Sequence, residues 1–275
     1  MKEDTLETSS KRKGQKMPSA KDLKPETEFL KCLVIGQPGT GKSEFASSFP
    51  TPGFVLDFDN GMLSYRGKDF DYETFLSGQQ TTKGQGVAPV GWVKFEKDLI
   101  QLQADVLAGK YKTVIVDSTT TMSDLAMERA LQLNPQRSDT QGPVWNIHYS
   151  LVRNLMEGRL RQIIGMNCNV VVNAHVETVK DDKTGAIIDV GPLLPGALTT
   201  KLPGYFDEVY YSTIKTSTTK AEAGKPGQSI TQFLLQTCPK GYYRARSRIS
   251  GRERIIPEFV ENNYSAIMEH VRKAG

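Results

Sequence analysis

The octapeptide Gly36-Gln37-Pro38-Gly39-Thr40-Gly41-Lys42-Ser43 combines three glycines, a lysine and a hydroxyl at a spacing that lets all of them meet one polyphosphate. Glycines allow the backbone to curl until successive N–H groups point inward, and the positive end of a following helix adds to that cradle. Lys42 can reach the β- and γ-phosphates, and the Ser43 hydroxyl can ligate Mg²⁺. Such a loop needs a strand before it and a helix after it. The run Phe29 to Ile35 is apolar, as a strand would be, and Glu44 to Phe49 reads as a helix start. The pattern implies a nucleoside triphosphate site, ATP with Mg²⁺, in which all eight residues take part.

Carboxylates supply the rest of the chemistry. Tyr111 to Asp117 is short and β-branched, which predicts a buried strand ending at Asp117. Parallel strands end at the same edge as the loop, so Asp117 can hold Mg²⁺ through its water shell. Gly53 to Phe58 reads as another strand, with Asp57 and Asp59 before an Asn60-Gly61 turn. ATP hydrolysis needs a group that orients the attacking water, and Asp59 is the favoured candidate. Asp57 is its rival, since one of the two must cap the turn, and they share a face only if the strand persists through Asp59. Asn173 and His175, at the end of an apolar run from Cys168, are candidates to contact the γ-phosphate and report its loss to the next loop. Three histidines and scattered cysteines offer no zinc-type ligand set. Lys240 to Arg248 sets Arg244, Arg246 and Arg248 at alternate positions of a predicted strand, on one face. A neighbouring subunit's triphosphate, a nucleic-acid backbone or solvent around an edge strand could meet that charge.

These residues have to be positioned by elements, and the pattern of the chain supplies them. Its 275 residues are 38% hydrophobic and 24% charged, which describes a globular protein. No apolar run approaches the roughly 18 residues of a membrane span, and the polar N-terminus lacks a signal-peptide core. Buried free thiols at Cys32 and Cys168 fit a reducing cytoplasm. Residues 1–28, with Lys11-Arg12-Lys13 and Lys16, are too polar to bury a core and are expected to be a disordered basic tail. Gly78, Gly84, Gly86 and Gly91 mark a polar loop. Helices are predicted over 92–107, 119–133 and 148–164, with a polar loop at 134–146. Strands alternating with helices imply a parallel sheet covered on both faces. Beyond 175 a hairpin is expected at 176–190, strands at about 206–213, 230–237 and 241–248 in antiparallel pairs, and a last helix over 258–271.

The order GQPGTGKS, DFDNG, TVIVDSTTTM, VVVNAHVE, LPGYFDEV and YYRARSR resembles the RecA-like ATPases of bacteriophages assigned to single-strand annealing and recombination, over residues 29–250. The resemblance implies an α/β P-loop NTPase core of RecA-like form in one domain, 29–275. Its central sheet would be mainly parallel, with antiparallel strands at the C-terminal side and helices on both faces. It puts the catalytic carboxylate at Asp59, the Mg²⁺-associated acid at Asp117, the sensor at Asn173 or His175, and a basic pair acting in trans at Arg246 and Arg248. DNA-binding loops would span about 134–147, with Arg137, Trp145 and His148, and 176–201, with Lys180, Lys183 and Lys201. It also implies turnover coupled to single-stranded DNA in the cytoplasm of a bacterial host. Copies would form a filament or ring with nucleotide between subunits, a single-strand-binding protein would be a further candidate partner, and no membrane would be involved. A ring-forming DNA motor or helicase accessory would use the same residues. A non-motor ATP switch that recruits partner proteins is the third reading.

Overall fold

A computed structural model describes residues 28–77, 90–218 and 229–274, together with Ser19, Lys21, Leu23 and Lys24. Most of the expected basic tail, with its Lys11-Arg12-Lys13 and Lys16, and the loop glycines Gly78, Gly84 and Gly86 lie outside the described residues. The centre of the fold is a set of short apolar strands: β1 (Lys31–Gly36), β2 (Gly53–Asp57), β4 (Thr113–Asp117) and β5 (Asn169–Ala174). They lie parallel in the order β2-β4-β5-β1. β4 and β5 are buried along their whole length, as strands covered on both faces must be. Side chains of β1 divide between the two faces. Leu33 and Ile35 join one core with residues of α2 (Val90–Leu107), α3 (Thr119–Leu133) and α4 (Ser150–Ile164). Cys32 and Val34 join the other, with residues of α1 (Lys42–Ser47) and α6 (Tyr264–Ala274). The period-two alternation of a strand thus requires helices on both sides.

The sheet is extended at each edge. β3 (Phe70–Thr74) pairs parallel with β2, and β8 (Glu208–Thr218) pairs parallel with β1. From β8 onward the direction reverses: β9 (Ser229–Gln236) and β11 (Phe259–Glu261) add antiparallel strands, and β10 (Arg246–Ser247) pairs antiparallel with the start of β8. The expected class is therefore found, a mainly parallel α/β sheet with antiparallel strands on the C-terminal side. The hairpin β6 (Val176–Lys180) and β7 (Ile187–Pro192) stands apart from the main sheet, and a short helix α5 (Leu198–Lys201) follows it. No described helix is long and apolar enough to cross a membrane.

Several expectations are corrected. β3 escapes the period-two reading because its Asp71 and Glu73 make it a polar edge strand. Gly91 belongs to α2 rather than to the loop before it, and its missing side chain makes room for Leu125 and the Leu76 carbonyl. The last helix begins at Tyr264, because Phe259–Glu261 pairs with β9 instead. The predicted 241–248 strand shrinks to Arg246–Ser247, so the three arginines do not alternate along one strand face. Under α2, Phe95 meets Phe58, Phe75 and Trp92 edge to face or nearly so, at 5.3–5.6 Å between ring centroids. Phe95→Ala should lower unfolding stability by about 3–5 kcal/mol, measured by denaturant titration, since a cavity at this junction cannot easily collapse.

Candidate functional site

The strand β1 ends at Gly36 and α1 begins at Lys42, which leaves five residues to make the turn. Gly39 and Gly41 have φ of +78° and +91°, a left-handed region that side chains disfavour. Gly41 is doubly required, because a Cβ there would lie 2.5 Å from Asn262 Nδ2. The loop's carbonyls are tied outward to protein donors. Thr40 Oγ1 donates to Gln37 O at 2.8 Å, Ser212 Oγ to Thr40 O at 2.7 Å, and Asn262 Nδ2 to Gly41 O at 2.8 Å. Fixing the carbonyls on the outside is what lets neighbouring amides face inward as an anion nest. Lys42 Nζ donates to Gly36 O and Gln37 O, each at 3.0 Å. Burial lowers its pKa, while Asp117 and Asp59 act in the opposite direction and favour the ammonium. The loop forms one wall of a cavity of about 830 Å³ that continues past α1 to β9 and β11, within the range of ligand pockets.

The parallel strand order brings Asp117 to this loop. Its Oδ2 accepts from Ser43 Oγ at 2.7 Å and from Tyr65 OH at 2.8 Å. Tyr65 sits on a single 3₁₀ turn, Met62–Tyr65; burial, then the charge of Asp117, pushes its phenol pKa well up, so it stays a donor. A serine hydroxyl beside a carboxylate is a hard-oxygen donor set that suits Mg²⁺, which needs few protein ligands when phosphates supply others. Ser43 would be the direct ligand and Asp117 its partner through water.

Asp57 and Asp59 have separate duties, because β2 ends at Asp57. Asp57 turns into the protein and accepts from Gly61 N at 3.1 Å and Thr74 Oγ1 at 2.9 Å, closing the turn. Asp59 lies beyond the strand, where Ser118 Oγ donates to Oδ1 at 3.0 Å and His175 Nε2 is 3.4 Å from Oδ2. Burial works to raise its pKa, but hydrogen bonds from His175, Thr121 and Ser118 outweigh it and bring the carboxyl down to about 2. Asn173 is fully buried at the end of β5, and neither its Oδ1 nor its Nδ2 has a hydrogen-bond partner among the described residues. His175 is the single residue between β5 and β6, and its Nδ1 also lacks a partner among the described residues. Both expected sensors therefore keep hydrogen-bonding capacity that no described residue uses.

Other expected residues lie elsewhere. Arg246 Nη2 donates to Pro203 O and Phe206 O, Arg248 pairs with Asp207 at 2.7 Å, and Arg244 pairs with Asp189 at 2.9 Å. Arg244 and Arg248 are paired within the chain, whereas Arg246 rests on two carbonyls and its buried Nε has no partner among the described residues. Arg137 donates to Leu131 O, Asn134 O and Gln136 O, which caps the end of α3. His148 is buried and bonded to Val144 N and Asn134 O, away from any loop surface. Lys201 pairs with Glu157 at 3.4 Å. Tyr65, Asn262 and Ser212 were not legible as site residues, since they come from distant elements and carry no motif spacing.

A mainly parallel sheet whose strand ends join a glycine-rich loop, its lysine and serine, and a strand-end carboxylate defines a P-loop ATPase core. A family described as an AAA domain matches residues 28–249, and the chain belongs to that family. Among solved structures it is similar to a KaiC-like protein of the hyperthermophilic archaeon Pyrococcus horikoshii OT3. The two are 12% identical with a TM-score of 0.34, over 75% of this chain and 79% of that one. No curated protein shows significant similarity to the chain.

The depressed pKa of Asp59 has a consequence for acid stability. Its ionised form contributes stability above the unfolded-state value of about 3.9, and that contribution is lost as pH falls toward 2. Denaturant titrations at pH 5 and pH 3 should show Asp59→Asn losing about 1 kcal/mol less over that interval than the parent.

Proposed function

We propose that the chain hydrolyses Mg²⁺-ATP at the glycine-rich loop and couples turnover to binding single-stranded DNA, as an annealing or recombination ATPase. The observation that supports this most is the Asp59–His175 contact at 3.4 Å. It joins the carboxylate beside the phosphate loop to the first residue before the β6–β7 hairpin. Asp59 stays ionised, so it can orient and polarise the attacking water; its low pKa makes it a weak proton acceptor, and positioning the water is its part. Lys42 neutralises charge that develops on the γ-phosphoryl oxygens. Bound Mg²⁺, held by Ser43 and the Asp117 water shell, would supply further charge neutralisation. Asn173 Nδ2, buried and without a partner among the described residues, would have to turn toward the γ-phosphate to donate to it.

The link outward runs through Thr120. Its hydroxyl accepts from His175 N at 3.0 Å and donates to Leu193 O at 3.2 Å, while Leu193 N donates to His175 O at 2.8 Å. A change at Asp59 is therefore felt at both strands of the hairpin base. Lys180 and Lys183 are exposed on that hairpin, where they suit a phosphate backbone. At the start of the π-helical turn Trp145–Tyr149 that leads into α4, Trp145 is 65% exposed and its ring centroid lies 4.3 Å from that of the half-buried Tyr149. An exposed indole backed by a second ring is a platform on which unpaired bases can stack. If copies assemble around the nucleotide, Arg248 can leave its half-exposed Asp207 partner for a neighbour's phosphate at little cost, whereas Arg246 is engaged by two carbonyls.

The test is turnover with and without single-stranded DNA. Lys42→Ala should abolish hydrolysis in a folded protein, and Asp59→Asn should still bind ATP while turnover falls roughly 10²-fold or more. Asp57→Asn should keep turnover within a few-fold and instead lose about 1–3 kcal/mol of stability. Full turnover in Asp59→Asn with its loss in Asp57→Asn would reverse the assignment.

Trp145→Ala should weaken single-stranded DNA binding by about 5-fold or more while leaving DNA-free turnover intact. Parent turnover that does not respond to single-stranded DNA, together with no measurable DNA binding, would remove the nucleic-acid half of the proposal.

A further inference from the structure

The cavity beside the glycine-rich loop has a second wall that phosphate chemistry leaves unused. A triphosphate accounts for the part lined by Gly39 to Ser43, while Thr231, Phe233 and Asn262 line the part that lies beyond α1. Phe233 is 43% exposed, although its neighbours Leu235 and Gln236 on the same strand are buried. Its ring does not face bulk solvent at random. A Cβ on Gly41 would lie 3.2 Å from Phe233 Cδ1, so the ring lies directly against the phosphate loop.

Asn262 fixes that arrangement. It is 8% exposed, its Nδ2 donates to Gly41 O at 2.8 Å, and its backbone N–H donates to Phe233 O at 3.2 Å. One residue thereby ties the loop, β9 and β11 together. The Gly41 carbonyl demands the amide nitrogen, which fixes the side chain's orientation and leaves Oδ1 with no donor among the described residues. The cavity thus carries a flat aromatic surface at its far wall. A bare polyphosphate has no use for it. A nucleobase has a π-face to lay against it.

We propose that Phe233 is the stacking platform for the base of the nucleoside triphosphate, held in register with the phosphate loop by Asn262. The proposal rests on the nucleotide reading above and goes beyond it by assigning the base to β9 and β11. The strand therefore selects a nucleotide over a free polyphosphate. Because stacking accepts any base, Phe233 adds affinity for all four nucleoside triphosphates.

Calorimetric binding of ATP and of inorganic tripolyphosphate, to the full chain with Mg²⁺, separates the cases. Phe233→Ala should weaken ATP by about 5-fold or more and leave tripolyphosphate unchanged. Phe233→Trp should keep ATP affinity, with its added indole fluorescence quenched by ATP but not by tripolyphosphate, relative to the parent. Unchanged ATP affinity in Phe233→Ala, with binding abolished in Lys42→Ala, would overturn the base assignment and leave the phosphate site standing. Equal weakening of both ligands would also overturn it, since the ring would then only prop the loop. Normal binding of both ligands by a folded Lys42→Ala would instead remove the nucleotide reading on which the proposal rests.

Discussion

The hydrogen bond from Ser43 Oγ to Asp117 Oδ2 joins residues 74 positions apart, and most of the architecture follows from it. β1 and β4 do not touch; each pairs with β5, which lies between them. All three must run parallel for their C-terminal ends to reach one edge, and parallel pairing demands long crossovers that cover the sheet with helices. The β-branched, wholly buried sequences of β4 and β5 are the physical counterpart of that demand. A slip of one residue would turn Asp117 from the loop into the opposite face. The hydrophobic pattern that fills both cores therefore also sets the distance between hydroxyl and carboxylate.

Gathering Lys42, Asp59 and Asp117 at one sheet edge carries a desolvation cost, because partly buried charges lose water. The structure offsets it with donors rather than with exposure. Asp117 has Ser43 and Tyr65, and Asp59 has Ser118, Thr121 and His175. Lys42 rests on two loop carbonyls while the two acids favour its charge. The same network links the site's charges to one another. Asp59 favours the charge of Lys42 and is one contact from His175, the residue before the hairpin. Asn173 and His175 keep buried polar atoms without a partner among the described residues, which ordinary core residues avoid.

The antiparallel strands beyond β8 give the loop its second wall. Asn262 reaches Gly41 across 221 positions of sequence, and Ser212 reaches Thr40 from β8. Both bonds go to carbonyls of the loop itself, so late strands hold the geometry of an early motif. This also explains why α6 starts where it does: Phe259–Glu261 must finish pairing with β9 before Asn262 can turn toward the loop.

Much of this was legible in the chain. The loop, the ends of β1 and β4, the α3 boundaries and the hairpin at 176–190 all depend on local rules: glycine conformation, β-branching and hydrophobic period. Lys42, Ser43 and Asp117 followed, because a strand end and a loop at one parallel edge must meet. The division between Asp57 and Asp59 was not settled, since it turns on a strand stopping at Asp57 and on Thr74 coming from an edge strand with no apolar pattern. The arginines misled for the same kind of reason. Alternation implies one face only if a strand continues, and here Asp189, Asp207 and two carbonyls from other elements hold the side chains. Tyr65, Phe233 and Asn262 have no local signature at all. Their roles arise from contacts between elements far apart in sequence, and only packing decides which of many polar or aromatic residues comes to rest against the loop.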